Sequence, residues 1–387
     1  MHVLGTARTD VRVLREATAL VEAGMDVSIV DIEDGHTRPC EEDLDGIHLK
    51  HIVMPSWFIP ARFKLWFLVK AARMFVHSTL MLLKTPADVY HAHDDTALPA
   101  CYIAARLRRK LLVFDAHELP LVDPGVTRWR LLHMLAVCFL RGMMARCAGI
   151  ITVSLPIVRD LQQRYGGRTA TVVRNIPGYQ APISTDRLRH YLGLSPDTRI
   201  ALYQGNIDGR GLDSLILAAR YMDPGIVIVM MGRATSRSDL EALIAREGMG
   251  ERVKIIPAVP YAELLSWTAS ADIGLVIFAP AYGPTISRSI QMCLPNKLFE
   301  YLMAGLPVLA SPLDAVADLI RTYDVGCIVP SLEPEMIGRA ISAMLADRDA
   351  LARMRGSALA ATQHDLCWES ESRRLIELYE DIMEGIG

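Results

Sequence analysis

Glu300 is the side chain on which a chemical reading of this sequence turns. It lies among apolar neighbours in Leu294-Pro295-Asn296-Lys297-Leu298-Phe299-Glu300-Tyr301-Leu302-Met303-Ala304-Gly305. Glutamate is rarely buried without a partner, so this one needs a reason. One reading is a cap or ion pair with Lys297, three residues earlier on the same helix. The other is a carboxylate that accepts hydrogen bonds from a diol, with Lys297 turned to a phosphate and Glu300 to the ribose of a nucleotide sugar. A second group is Gly205-Asn206-Ile207-Asp208-Gly209-Arg210-Gly211, which joins a strand to the helix beginning near Leu212. Its backbone N–H groups and the helix N-terminus favour an anion, and Arg210 suits bidentate binding of a phosphate. Glycine-rich turns also occur for shape alone. Gly232-Arg233, at the next strand end, either adds to that anion site or faces solvent.

The first half of the chain carries a different chemistry. His91-Ala92-His93-Asp94 and Asp115-Ala116-His117-Glu118 each end a strand in histidine and carboxylate. In open α/β sheets the ligand crevice lies beyond the carboxyl ends of the strands, which makes His93, Asp94, His117 and Glu118 site candidates. His91 and His93, two residues apart, are expected on opposite faces of their strand, so that at most one serves a given site. A metal centre is disfavoured on that ground, and none is expected.

These residues must be positioned by regular elements, and the hydrophobic pattern supplies them. Residues 12–23 read as a helix closed by Gly24, and Val27-Ser28-Ile29-Val30-Asp31 as a strand, a βαβ opening without GxGxxG. Val3-Leu4 reads as the tail of a first strand ending at Gly5, residues 32–46 as an acidic loop, and Ile47–Met54 as a marginal strand. Strands then recur near 88–93, 111–116, 149–153 and 171–173, with helices between them. Arg174-Asn175-Ile176-Pro177-Gly178 holds several breakers and starts a linker. Strand and helix alternate again from Arg199 to about residue 346, without a Walker pattern, and helices at 350–362 and 369–383 close the chain. Two α/β domains predict a cleft for a ligand.

Residues 61–83 and 128–148 are unusual helices, rich in both basic and aromatic or aliphatic side chains. In the first, Lys70, Arg73, His77 and Lys84 follow helical spacing beside Trp66, Phe67 and Phe75. Such a helix either lies on anionic lipid or packs on the sheet with its basic residues in solvent. Its longest uncharged run is short of the roughly 18 residues that spanning requires.

With 387 residues, the chain exceeds what one core usually fills. A net charge of −3 and 51% apolar residues argue against nucleic acid and against disorder. Seven scattered cysteines without a CxxC pair read as reduced thiols. Arg8, Asp10, Arg12, Arg15 and Glu16 interrupt the N-terminus, which does not read as a signal peptide.

Taken together, the motifs resemble the family-4 retaining nucleotide-sugar glycosyltransferases (glycosyl transferases group 1). They are 10–17 (DVRVLREA), 91–94 (HAHD), 114–119 (FDAHEL), 172–177 (VVRNIP), Gln204-Gly205 with Arg210-Gly211, 261–265 (YAELL) and 295–311, in family order across nearly the whole chain. The resemblance implies the GT-B fold, two Rossmann-like α/β domains facing each other across a cleft. It divides the chain into an acceptor-side domain at 1–178, a linker at 179–198, a nucleotide-sugar domain at 199–362, and a C-terminal helix at 363–387 that crosses back.

It further implies transfer of a hexosyl group from a UDP- or GDP-sugar to a hydroxyl of a glycan, lipid-linked or small-molecule acceptor. The anomeric configuration would be retained, with no metal and no cofactor. Glu300 matches the ribose carboxylate of the family's Glu-x7-Glu motif, whose other glutamate falls at Met292. Arg210 matches the second basic residue of the diphosphate clamp and Asn206 stands at the first, with Lys297 as the substitute charge. His117 matches the sugar-side histidine, and Gly5 is the only glycine in the N-terminal loop. Gly205, Gly232, Arg233 and Leu298 complete the donor-binding set. A cytoplasmic enzyme, peripheral on the inner membrane face, is expected, with a second copy of the chain as a further candidate partner. Met292 and Asn206 favour one alternative, a catalytically silent GT-B-fold binding or partner protein; a GT-B phosphorylase or epimerase is another.

Overall fold

The computed structural model describes residues 1–33, 39–54, 64–121, 130–166, 169–207, 212–233, 237–278 and 288–385. They form two compact units, Met1–Asn175 with Glu371–Gly387, and Ile176–Ser370.

The first unit contains strands β1 (Val27–Glu33), β2 (Glu41–Leu44), β3 (Ile47–Val53), β4 (Val89–His93), β5 (Leu111–Ala116), β6 (Gly149–Thr152) and β7 (Thr171–Val172). Its helices are α1 (Val11–Glu22), α2 (Lys64–Lys84), α3 (Asp94–Arg108), α4 (Arg130–Met144) and α5 (Leu155–Tyr165). The sheets run β1-β3-β2 and β4-β5-β6-β7. His2 joins them by parallel bridges to Val30 and Ala92, doing with one residue what a first strand would do. Asp10 caps α1 by accepting the N–H groups of Arg12 and Val13. The buried face of α1 carries Arg12 and Glu16 beside Val13, Ala17 and Leu20, so two charges enter this unit's interior.

Two local expectations fail here. The stretch 32–46 is not all loop: Glu41–Leu44 pairs antiparallel with β3 around an Asp45-Gly46 turn, and both turn residues have positive φ. Alternation of exposed and half-buried positions suits an edge strand, and acidic side chains blunt that edge. On α2, Lys70 does not share an outward basic face. It is buried in one row with Met74, Ser78 and Leu82, four residues apart, while Trp66, Phe67, Leu68, Val69, Val76 and Leu80 are exposed.

The second unit has six parallel strands in the order β10-β9-β8-β11-β12-β13. They are β8 (Arg199–Asn206), β9 (Ile226–Arg233), β10 (Val253–Pro257), β11 (Ile273–Val276), β12 (Val308–Ala310) and β13 (Gly326–Ile328). Flanking helices are α6 (Arg187–Leu192), α7 (Asp213–Ala218), α8 (Arg237–Arg246), α9 (Tyr261–Thr268), α10 (Arg288–Met292), α11 (Asn296–Met303), α12 (Asp314–Tyr323), α13 (Pro334–Ala346) and α14 (Arg348–His364). The final helix, α15, spans Trp368–Glu384. Strand alternation splits the core in two. Ile200, Leu202, Val227 and Val229 pack with Leu298, Phe299 and Leu302 of α11. Ala201, Tyr203, Ile228 and Met230 pack with α7 and α13 on the other face.

The chain winds outward from β8 to β10 and then returns to β11 beside β8. That reversal is a topological switch point, and the carboxyl end of β8 is where such sheets bind ligands.

Candidate functional site

Gln204, Gly205 and Asn206 occupy the end of β8, in register with Met231, Gly232 and Arg233 of β9. The two backbones approach closely: a Cβ at Gly232 would lie 1.7 Å from the Gly205 oxygen, so only glycine fits. Gly205 has φ +114, a conformation that also favours glycine. The backbone N–H of Ile207 donates to the Arg233 carbonyl at 2.9 Å, which continues the pairing past the strand. Asn206 and Arg233 are exposed. Arg210, the expected diphosphate cation, lies outside the described residues.

Helix α11 brings Lys297 and Glu300 to this strand end. The Lys297 Nζ sits 3.5 Å from the centroid of the Tyr203 ring, and Gly205 lies alongside. The Glu300 carboxylate accepts from Gln204 Nε2 at 2.5 Å. Tyr301 anchors the helix. Its hydroxyl accepts the Gln204 N–H at 2.8 Å, and its ring lies where a Cβ on Gly274 would be 2.4 Å away. Burial pushes the Tyr301 phenol well above its ordinary range, so it stays a neutral hydroxyl. Leu298 is fully buried, and its N–H is taken by Pro295 at 2.9 Å. Its side chain serves the core. Glu300 also lines a small concavity with Pro177, Tyr261, Leu264 and Thr268. Met292 ends α10, half-buried, with no carboxylate to offer.

In the first unit the strand-end histidines belong to a buried ionic network. Arg12 holds Asp115 with two nitrogens, at 2.7 and 2.8 Å, and also donates to the Val173 carbonyl at 2.8 Å and approaches Glu16 at 3.0 Å. His117 Nε2 lies 2.8 Å from Asp115 Oδ2, and its Nδ1 lies 3.4 Å from Asp94. Asp94 also accepts the His117 N–H at 3.2 Å from a left-handed backbone, φ +65. Burial opposes the charge on His117, but Asp115 and then Asp94 overcome it and raise its pKa to about 9. Burial likewise opposes ionisation of Asp115, yet Arg12 and His117 hold it well below the usual carboxylate range. Burial dominates at Glu16, pushed up to about 8 despite Arg12.

The expectation that His91 and His93 face apart is wrong. Residues two apart on a strand share a face, and their rings stack at 4.3 Å. His91 then reaches the Tyr379 hydroxyl at 2.7 Å. Glu16, His91, His93 and Asp115 thus bring donor atoms within 4.8 Å of one another, a spacing that metal sites share. Arg12 already stands among them as a cation, bonded to Asp115 and beside Glu16. Asp31, Glu33 and His51 form a second cluster, in which Asp31 accepts the Ala7 N–H and His51 pairs with Asp31 and Glu42. The chain bends at Leu4 and Gly5, where φ of Gly5 is not positive and its Cβ position is open.

Gln204, Thr268, Arg12 and Asp115 were not singled out from the sequence as site residues. A buried polar residue one position before a strand-end glycine was the available signal for Gln204. For Arg12 it was a charge on the apolar stripe of α1.

Residues 9–176 match the model of Glycosyltransferase Family 4, and residues 184–359 that of Glycosyl transferases group 1. A D-inositol 3-phosphate glycosyltransferase of Xylanimonas cellulosilytica is 25% identical over 57% of this chain, which spans only 54% of that protein. The D-inositol 3-phosphate glycosyltransferase 1 of Catenulispora acidiphila is 24% identical over 97% of this chain and 91% of its own length. Among solved structures, Anabaena HepE in complex with UDP and glucose superposes with a TM-score of 0.66 at 16% identity, covering 98% of each chain.

Proposed function

On the premise that this chain belongs to the GT-B glycosyltransferases, pairing a Glycosyltransferase Family 4 part with a group 1 part, we propose that it transfers a hexosyl group from a nucleotide diphosphate sugar to a hydroxyl acceptor. The observation that carries this reading is the convergence of Glu300, Lys297, Gly205 and Gly232 at the end of β8, the switch point of the second sheet. Glu300 accepts the ribose hydroxyls. Lys297 and the backbone N–H groups near Gly205 face the diphosphate, where fixed positive groups stabilise charge that develops on the leaving group. By the resemblance Arg210 completes the clamp, and the exposed Asn206 and Arg233 at the ends of β8 and β9 are further donors. The mechanism uses no metal: fixed protein charges neutralise the leaving diphosphate, which itself takes the acceptor proton in a retaining, front-side displacement. His117 is the sugar-side residue. Both its ring nitrogens face carboxylates, so the ring is cationic. UDP in complex with the Anabaena relative supports a uridine donor as the first to try.

Calorimetric titration of UDP and GDP into wild type and Glu300→Ala tests the assignment. One nucleotide binds wild type at micromolar level and the variant at least tenfold more weakly; equal binding to both refutes the role given to Glu300.

A second reading concerns the acceptor. Trp66 and Phe67 on α2 and Phe139 on α4 are 54%, 59% and 71% exposed, with Arg73, Arg141 and Arg146 also at the surface. The window Trp66–Lys84 is long and apolar enough to cross a membrane by length and composition, and 17% of it is buried. We infer that α2 and α4 rest on anionic lipid and bring the enzyme, at the inner membrane face, to a lipid-linked acceptor. Flotation with anionic vesicles, reduced by Trp66→Ser with Phe67→Ser, is the expected result. No flotation of wild type, or dimerisation through this face in sedimentation, refutes it.

A further inference from the structure

Gln204 is 2% exposed and connects three elements. Its backbone N–H donates to Tyr301 on α11, its Oε1 accepts the Thr268 hydroxyl on α9 at 2.8 Å, and its Nε2 donates to Glu300. Chemistry fixes the direction of this relay. An ionised carboxylate only accepts, so the amide must turn its N–H group toward Glu300 and its oxygen toward Thr268. Turned over, the amide would set two acceptor oxygens face to face at 2.5 Å, with no proton between them. Thr268 is fully buried, and its hydroxyl lies 2.8 Å from both Gln204 Oε1 and the Leu264 carbonyl; with the amide oxygen turned toward it, its one proton goes to Gln204 Oε1.

We propose that Gln204 is a positioning residue for the donor ribose, setting the Glu300 carboxylate in one orientation before the nucleotide arrives. This rests on the reading of Glu300 as the ribose acceptor. A glutamate side chain has three rotatable bonds, and holding them in the free protein moves their ordering cost from binding to folding. Gln204 itself does not meet the nucleotide; its effect passes through Glu300 and vanishes when the ribose offers no hydroxyls. Thr268 acts one step further back, through the amide oxygen.

The test uses the full chain, with UDP and GDP and their 2′,3′-dideoxy forms as probes, titrated by calorimetry. Gln204→Met, similar in volume but without the amide, is expected to weaken the preferred nucleotide about tenfold, near 1.4 kcal/mol. Its dideoxy form should weaken less than twofold. Thr268→Val should shift the same ratio about threefold, and it serves as the second variant if Gln204→Met does not fold. Gln204→Glu sets two carboxylates against each other; its affinity should recover toward wild type as pH falls to 5, where a shared proton restores the bond. Equal weakening of the hydroxylated and dideoxy forms, no weakening of either, or no recovery at low pH in Gln204→Glu overturns the positioning role. If wild type binds nucleotide but Glu300→Ala binds it equally well, the ribose reading fails first. If wild type binds no nucleotide, the donor site and this inference fall together.

Discussion

Replacing Arg12 by methionine isolates what the buried network of the first unit does. Arg12 is 4% exposed, and Asp115 and Glu16 are wholly buried. The substitution removes two contacts to Asp115, one to the Val173 carbonyl and the approach to Glu16, while methionine keeps most of the volume. Breaking a buried pair by removing one partner costs about 3–5 kcal/mol, because a charge is left without compensation. Against a total of about 5–15 kcal/mol, that is a large share. His117 and His93 still face Asp115, which places the expected loss near the lower end, about 3 kcal/mol. The pH dependence has a definite sign. Glu16 is raised to about 8 in the folded protein, so its contribution is full below 4.5 and lost as pH rises through 8. Without Arg12, both Asp115 and Glu16 are harder to ionise. The gap from wild type therefore widens as pH rises through the range where Asp115 takes its charge. It widens again above 8, where wild type ionises Glu16 beside Arg12 and the variant does not. Urea unfolding at pH 5, 7 and 9, with the slope unchanged, measures this. A shift worth less than about 1 kcal/mol at pH 7, or a gap that narrows toward pH 9, would refute the network's assignment. Arg12→Lys should recover less than half of the loss, since an ammonium cannot span both Asp115 oxygens.

Other consequences follow from the same geometry. Gly232→Ala forces a Cβ into the Gly205 carbonyl and should cost at least about 2 kcal/mol in thermal unfolding, while weakening nucleotide binding through displacement of the β8 turn. His117, raised from 6.5 to about 9, adds stability that is full below 6.5 and lost as pH rises through 9. At 1.36 kcal/mol per pH unit this is worth about 3 kcal/mol. Nitrogen-15 spectra of labelled histidine should show both His117 ring nitrogens protonated at pH 7.5, and a neutral ring there contradicts the two-carboxylate geometry. In Asp94→Asn, the same titration should move to lower pH.

Much of the architecture was legible because apolar spacing differs between strand and helix. Most of the alternating strands and helices expected from 88 onward are present, and so is the switch point those strands create. The stop at Gly305 and the strand at Val308–Ala310 follow from local residues alone, and α11 stands where Pro295 and the Leu298–Leu302 stripe place it. What escaped depends on partners distant in sequence. Lys297 and Glu300 have the spacing of an ion pair, and that spacing shows neither the contact of the carboxylate with Gln204, 96 residues away, nor that of the ammonium with Tyr203. Asp115 is set by Arg12, 103 residues earlier. Leu298, a donor contact by resemblance, packs on its helix into the core. The His91 and His93 placement was misjudged by a rule of period, since strand neighbours two apart share a face. On α2, composition showed a basic and aromatic helix but not which side would be covered, and Lys70 proved to be the buried row's member.

The proposed activity requires that this chain cleave a nucleotide sugar at the site built around Glu300. The direct measurement is nucleotide release from a panel of UDP- and GDP-sugars, with lipid-linked and soluble hydroxyl acceptors and a chelator present throughout. Acceptor-stimulated release from at least one donor, undiminished by the chelator and reduced a hundredfold or more in Glu300→Ala, is the predicted result. No release from any sugar nucleotide, or release that Glu300→Ala leaves unchanged, would contradict it.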